Sequence, residues 1–173
     1  DVTQNLHIRF TQPHYLNDPF EALPIIKGSG ISSEEMTKII VKKALERKES
    51  PKQYLNEEGL YSEEKFSEIV PFILNSINRN TGILSLSENY DNLLLWSHYA
   101  NNHKGYVLAF DSNHAFFHSI ESQLSKVRYT IERPKGTLVE ILESDLITTK
   151  PLQWSYEEEW RLSKPTYQAN KIV

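Results

Sequence analysis

A chain of 173 residues is long enough to bury a sizeable core, and its 39% hydrophobic and 11% aromatic content marks a folded protein, not a disordered one. A net charge of −4 and a pI near 5.9 argue against broad electrostatic capture of nucleic acid. The lack of cysteine excludes a disulfide framework, a thiolate metal site and a cysteine nucleophile. No apolar run approaches the roughly 20 residues that cross a bilayer, so a cytosolic location is expected. The chain opens at Asp1 in mid-pattern, so residues upstream of it are expected.

In chain order, Leu6 to Phe10 alternates as a short strand. Asn17 and Asp18 before Pro19 carry strong turn chemistry and could instead face a ligand. From Ser32 to Lys48 the pattern is helical, with Ser32 or Ser33 as cap, Glu34 and Glu35 in the first turn, and Met36, Ile39 and Ile40 at helical spacing. A polar connector, Glu49 to Leu60, leads to a second helix from Ser62 to Arg79 that Pro71 is expected to bend or interrupt. These two helices read as an insertion.

The densest stretch of unusual side chains is Gly82 to Asp111. It parses as a strand (Ile83 to Leu86), a polar cap (Ser87, Asn89 or Asp91), a helix from about Asn92 to Asn101, a glycine stop at Gly105 and a second strand (Tyr106 to Phe110) apolar on both faces. Leu93, Trp96 and Ala100 make one expected buried face, while Leu95, His98, Tyr99 and Asn102 make a mixed one. Trp, His and Tyr each join an apolar body to a polar handle, so this face either satisfies those handles in a core or offers them to a ligand. His98 and His103 are five apart and do not stack as a metal pair.

Beyond the hub, Ser112 to Ser125 reads as a short helix whose His114 and His118 lack an evident third metal ligand. Val127 to Ile131 follows as a strand, Pro134 and Gly136 as a turn, and Leu138 to Asp145 as a helix. If Tyr156 to Leu162 is a strand, Glu157, Glu159 and Arg161 share one face. Three charges on one strand face are costly unless that face meets water, as an exposed edge with a Glu–Arg ladder would, or a partner or a site.

Four segments, FTQPHYLNDPFE (Phe10 to Glu21), GILSLSENYDNLLLWSHYANNHKGYVLAFD (Gly82 to Asp111), VRYTIERP (Val127 to Pro134) and WSYEEEWRL (Trp154 to Leu162), resemble a bacterial and phage family catalogued as domain of unknown function twenty-nine seventy-one. The family usually opens with a further strand bearing tyrosine and arginine before the point where this chain begins. It is grouped on remote similarity with ADP-ribosyltransferase-like folds, and its members occur near mobile-element and phage-defence genes. The resemblance implies an α+β fold with a mixed, split β-sheet, a single domain over residues 1–173 with a helical insertion at about 32–79.

It further implies NAD as substrate and a toxin or defence effector as the role, with a protein or nucleic acid as acceptor, a defence-system partner protein and no membrane. Such enzymes use a glutamate that bonds the ribose while an oxocarbenium-like centre develops. Glu159 is the first candidate for it and Glu157 the second, with Arg161 holding the glutamate or a phosphate. His98 and Tyr99 would line the nicotinamide side with Trp96 behind them, Ser87 beside them, and Asn17 and Asp18 closing over the ribose. No G-x-G-x-x-G is present to support a Rossmann-type site. Two other readings stay open: a module that senses a nucleotide or small molecule, or contacts a partner protein, without catalysis; and a nuclease whose Asp18, Glu21, Asp111, Glu157 and Glu159 would hold Mg²⁺.

Overall fold

The computed structural model describes residues 8–18, 20–46, 48–119, 122–143 and 146–169. In chain order these form β1 (Ile25–Ile26), α1 (Ser33–Glu46), α2 (Glu63–Asn80), β2 (Thr81–Ser87), α3 (Leu93–Tyr99), β3 (His118–Ser119), β4 (Ser122–Lys126), β5 (Arg128–Thr130), β6 (Lys135–Gly136), α4 (Leu138–Glu143), β7 (Thr149–Pro151), β8 (Glu159–Pro165) and α5 (Thr166–Ala169). The fold is mixed α+β. The chain divides into two compact units, one of residues 1–22, 78–132 and 147–173, the other of residues 23–77 and 133–146.

The second unit is mainly helical. Met36, Ile40 and Ala44 recur at i, i+4 and i+8 of α1 and are buried, whereas Ile39, one position off that stripe, is 48% exposed. Met36 and Ile40 join Leu55, Tyr61, Phe66 and Leu138 in one apolar cluster. Ser32 caps α1 reciprocally: its hydroxyl accepts from Glu35 N–H while its own N–H donates to the Glu35 carboxylate. Thr137 and Glu140 repeat the device at the start of α4. Pro71 lies inside α2 without interrupting it, so of the two expected outcomes the interruption does not occur. Lys135–Gly136, expected as a turn, instead pairs in parallel with Ile25–Ile26. Gly30 has φ +82° and lies so close to Thr137 that a Cβ there would come within 2.6 Å of Oγ1, so both backbone and space favour glycine.

The first unit is built on a four-stranded sheet in the order β2-β8-β4-β3, with antiparallel pairing throughout. In β2 the sequence Leu84-Ser85-Leu86-Ser87 alternates, and the register sets Leu84 opposite Leu162, Ser85 opposite Arg161 and Ser87 opposite Glu159. One face thus carries leucine: Leu84, Leu162 and Phe117 are buried, with Leu86, Leu124, Phe116, Ile8 and Phe10 packed around them. The other face sets small serines beside the charges of β8, leaving room for long polar side chains. A separate parallel pair joins β5 and β7.

Several expectations for this unit are corrected. The strand expected at Tyr156 to Leu162 begins only at Glu159. Leu152–Glu157 is a 3-10 turn that ends in a left-handed Glu158 (φ 45°). It is also a central strand, so the exposed-edge alternative fails: Glu157, Glu159 and Arg161 are 3%, 4% and 1% exposed. The cap of α3 is Asn92, whose Oδ1 accepts from Leu94 N–H at 2.9 Å and Leu95 N–H at 3.4 Å, and not Ser87, Asn89 or Asp91. Replacing Asn92 by Ala is expected to cost about 1 kcal/mol, read as a lowered midpoint in urea with an unchanged slope.

Leu93, expected inside, is 74% exposed; no residue of α3 itself is buried, and of the expected face only Ala100, at its C-cap, is. The helix ends through Asn101, Asn102 and His103 at positive φ (47°, 53° and 64°), ahead of the expected glycine stop. Gly105 follows in a tight turn, its N–H bonding Ala100 C=O at 2.7 Å. The turn sends Tyr106 to Phe110 along an irregular path with Tyr106 and Phe110 59% and 41% exposed, so the expected second hub strand does not form. The stretch Ser112 to Ser125, expected as a short helix, gives instead a 3-10 turn (Ala115–Phe117), then β3 and most of β4. Of the expected first strand, Leu6 and His7 lie outside the described residues, and Ile8 to Phe10 are irregular before Thr11 bridges to Ile83.

Candidate functional site

The buried charges of β8 form one end of a continuous hydrogen-bonded chain. The Arg161 guanidinium grips Glu21 with both terminal nitrogens, at 2.6 and 2.9 Å, a fork-to-fork geometry that suits planar partners. Its Nε donates to Glu159 Oε1 at 2.7 Å, and it also reaches the carbonyl of Ile147. Lys150 Nζ, only 3% exposed, bridges Glu159 at 3.2 Å and Glu157 at 2.5 Å, and lies 4.7 Å above the centre of the Trp154 ring. Glu157 Oε1 accepts from the Tyr99 hydroxyl at 2.6 Å, and that oxygen in turn accepts from Asn17 Nδ2 at 2.6 Å. The order is Glu21, Arg161, Glu159, Lys150, Glu157, Tyr99, Asn17: charges alternate in sign through the interior and end on two neutral groups at the surface.

The environment sets protonation along this chain. Burial works against a charged Glu159, but the charge and hydrogen bonds of Arg161, with Lys150 and Ser85, outweigh it and hold the carboxyl below its ordinary value of 4.5. Burial outweighs the same arginine at Glu21 and raises its carboxyl. Burial, then the bond and charge of Glu157, push the Tyr99 phenol far up, so it remains a donor. Arg161 is held charged against its burial by Glu21 and Glu159.

Two opposite pH effects follow. Glu159, lowered on folding, stabilises the fold above pH 4.5 and loses that contribution as pH falls through its folded value. Glu21, raised on folding, favours the fold at acid pH and loses that contribution as pH rises through its own folded value. Denaturant midpoints measured from pH 6 down to 3 are expected to fall more steeply in the wild type than in Glu159→Gln below about pH 4.5.

The chain of charges opens on a cavity of about 900 Å³ along β2 and α3. Glu157, Glu159, Arg161, Tyr99, Trp96, Ser87 and Asn17, all singled out from the sequence, line it. Their roles differ from one another. Trp96 Nε1 donates to Tyr90 C=O at 2.8 Å, and Ser87 Oγ donates to Glu157 C=O at 2.6 Å, which pins the backbone of that glutamate. His98 and Asp18 are not among the lining residues: His98 sits against Trp154 and Tyr156, and Asp18 is buried with Oδ1 accepting from Phe20 N–H at 3.0 Å in the turn. His114 and His118 are each engaged with nearby backbone.

Among the described residues no group of three or more histidines and carboxylates is arranged to hold a metal ion. Glu21, Glu157 and Glu159 do converge, but the ammonium of Lys150 and the guanidinium of Arg161 fill the positions between them, and exposed Asp111 serves a local turn instead. Sequence reading missed Lys150 and Tyr129, whose hydroxyl accepts from Glu159 N–H at 2.8 Å, and weighed Glu21 only as a metal ligand. The available signal was an imbalance: two glutamates on a strand face with one arginine require a further buried cation. Lys150 lies four positions before Trp154.

These features define an α+β protein with a charged cavity lined by β2, α3, the irregular segment after α3 and β8. Residues 95–162 match the model of the family described as Protein of unknown function (DUF2971). The matched stretch holds Trp96, Tyr99, Tyr129, Lys150, Glu157, Glu159 and Arg161, so the resemblance read from the sequence holds over the part that carries most of the site. No curated protein and no solved structure matches the chain, and nothing among the comparisons points to an ADP-ribosyltransferase. Among the described residues no helix is long and apolar enough to cross a membrane.

Proposed function

We propose that the cavity holds NAD and that its two carboxylates promote cleavage of the bond between nicotinamide and ribose, in an ADP-ribosyltransferase-like toxin or phage-defence effector. The observation that carries this reading is the pair Glu157 and Glu159 on the cavity wall, the latter held ionised by Arg161 and Lys150. As the C1′–N bond breaks, its electron pair leaves with the neutralised nicotinamide ring and the ribose becomes cationic, a charge that a fixed carboxylate stabilises directly. An acceptor hydroxyl or amine, or water, then bonds to C1′ and gives up its proton to Glu157, whose carboxylate is bonded to the exposed Tyr99. The test is nicotinamide release from NAD by the protein beside Glu157→Gln and Glu159→Gln.

A second reading is favoured by one observation: both cations that line the cavity are already bound to carboxylates, as in a site built for rigidity. In that reading the cavity binds a small molecule without turnover, and saturable binding with no nicotinamide release would select it.

A further inference from the structure

We infer that the part of the cavity beside Glu157 and Glu159 selects a positively charged planar ring and turns away a negatively charged one. The inference rests on the cavity being the ligand site proposed above and adds the class of ligand that it takes. Three glutamates and two cations make up the buried chain, an excess of one negative charge, and the carboxylates that face the cavity, Glu157 and Glu159, are held there by pairs that cannot rotate away. Glu88, on the same wall, adds a carboxylate fixed by the Trp160 indole N–H at 2.7 Å, with Lys126 beside it at 3.3 Å. An anion entering would have to break one of the buried pairs to find a cation, and would leave a glutamate uncompensated.

A cation disturbs none of these pairs. Tyr99 is bonded to Glu157 and Trp96 lines the same cavity from α3, and aromatic faces carry the negative potential that draws a planar cation. The nicotinamide ring of NAD, positively charged until its bond to ribose breaks, has this character, and its phosphates would then remain toward the solvent.

The test uses a charge series of one ring on the intact protein: N-methylnicotinamide (cation), nicotinamide (neutral) and nicotinate (anion), each titrated by calorimetry at low and at physiological salt. The cation is expected to bind on the order of tenfold more tightly than the neutral ring, about 1.4 kcal/mol, with nicotinate weakest. That preference should shrink with added salt in the wild type, a readout that needs no variant. It should also fall toward unity in Glu157→Gln or, should that variant not fold, in Glu159→Gln. Equal affinity for cation and neutral ring, a preference for nicotinate, or no binding of any of the three up to millimolar concentration would overturn the inference. Cation-selective binding without release of nicotinamide from NAD would uphold it while removing the catalytic reading.

Discussion

Replacing Arg161 by Met is expected to destabilise the first unit by about 3–5 kcal/mol, a large part of the total stability of a protein this size. Arg161 is the least exposed of the charged residues at 1%, and it is the common partner of Glu21 and Glu159. Its removal leaves three carboxylates, Glu21, Glu159 and Glu157, in the interior with one ammonium, Lys150, which bridges Glu159 and Glu157. Lysine at the same position would restore the charge but not the fork that meets Glu21 through two parallel bonds, so Arg161→Lys should recover only part of the loss.

The triple replacement Arg161→Met, Glu21→Gln, Glu159→Gln is expected to regain most of what the single change loses, since the loss comes from unpaired charge and not from missing volume. Urea denaturation followed by near-ultraviolet absorption of the tryptophans measures all three. A single change costing under about 1 kcal/mol would mean that Glu21 and Glu159 reach water in the folded state.

Glu157→Gln is expected to lower NAD cleavage by on the order of 10²–10⁴-fold while leaving the denaturation midpoint within a narrow range of the wild type. The amide keeps the shape, and its oxygen can still accept from Tyr99, so the change removes charge and proton-accepting capacity more than structure. Glu159→Gln should lower the rate through the ground it prepares: with that charge gone, Lys150 and Arg161 are left with one carboxylate each, and the negative field at the cavity weakens. Tyr99→Phe distinguishes the two routes. It removes the bond to Glu157 and the acceptor for Asn17 but leaves every charge in place, so a loss confined to KM marks Tyr99 as a positioning group for the ligand. Wild-type rates in Glu157→Gln would take that glutamate out of the reaction.

Several residues gathered at the candidate site stood out in the sequence because they are costly ones. Glu157, Glu159 and Arg161 at alternate positions beside Trp160 and Leu162 could only be buried with partners or exposed on an edge, and the polar handles of Trp96 and Tyr99 drew attention in the same way, while Asn17 stood out for its turn chemistry before Pro19. Long helices were legible for a similar reason: α1 and α2 each repeat an apolar stripe over several turns, and the boundaries of α1 follow from Ser32 and Glu35. Helix α3 was legible as to existence but not as to its inward face, since seven residues give too few turns for a pattern to fix rotation.

What the sequence by itself determined was therefore local: where the periodic helices run, that Leu84 to Ser87 alternates, and that the charges of the last segment require an answer. Which answer they receive was decided by tertiary structure alone. Glu21 lies 140 positions from Arg161, and Asn17 lies 82 from Tyr99, separations at which no spacing rule operates. Whether a strand is central or at an edge depends on what pairs with both its sides. Pairing with β2 and β4 makes β8 central, and once the segments bearing Glu21, Ile147 and Lys150 close over its charged face, Lys150 and Arg161 supply the counter-charge that water would have given. The same dependence explains Tyr106 to Phe110, whose apolar alternation asks for a sheet but whose path is set by the left-handed turn at Asn101 to His103 before it. Pairing and solvent exclusion are properties of the assembled chain, and they turned a row of charges into a connected site.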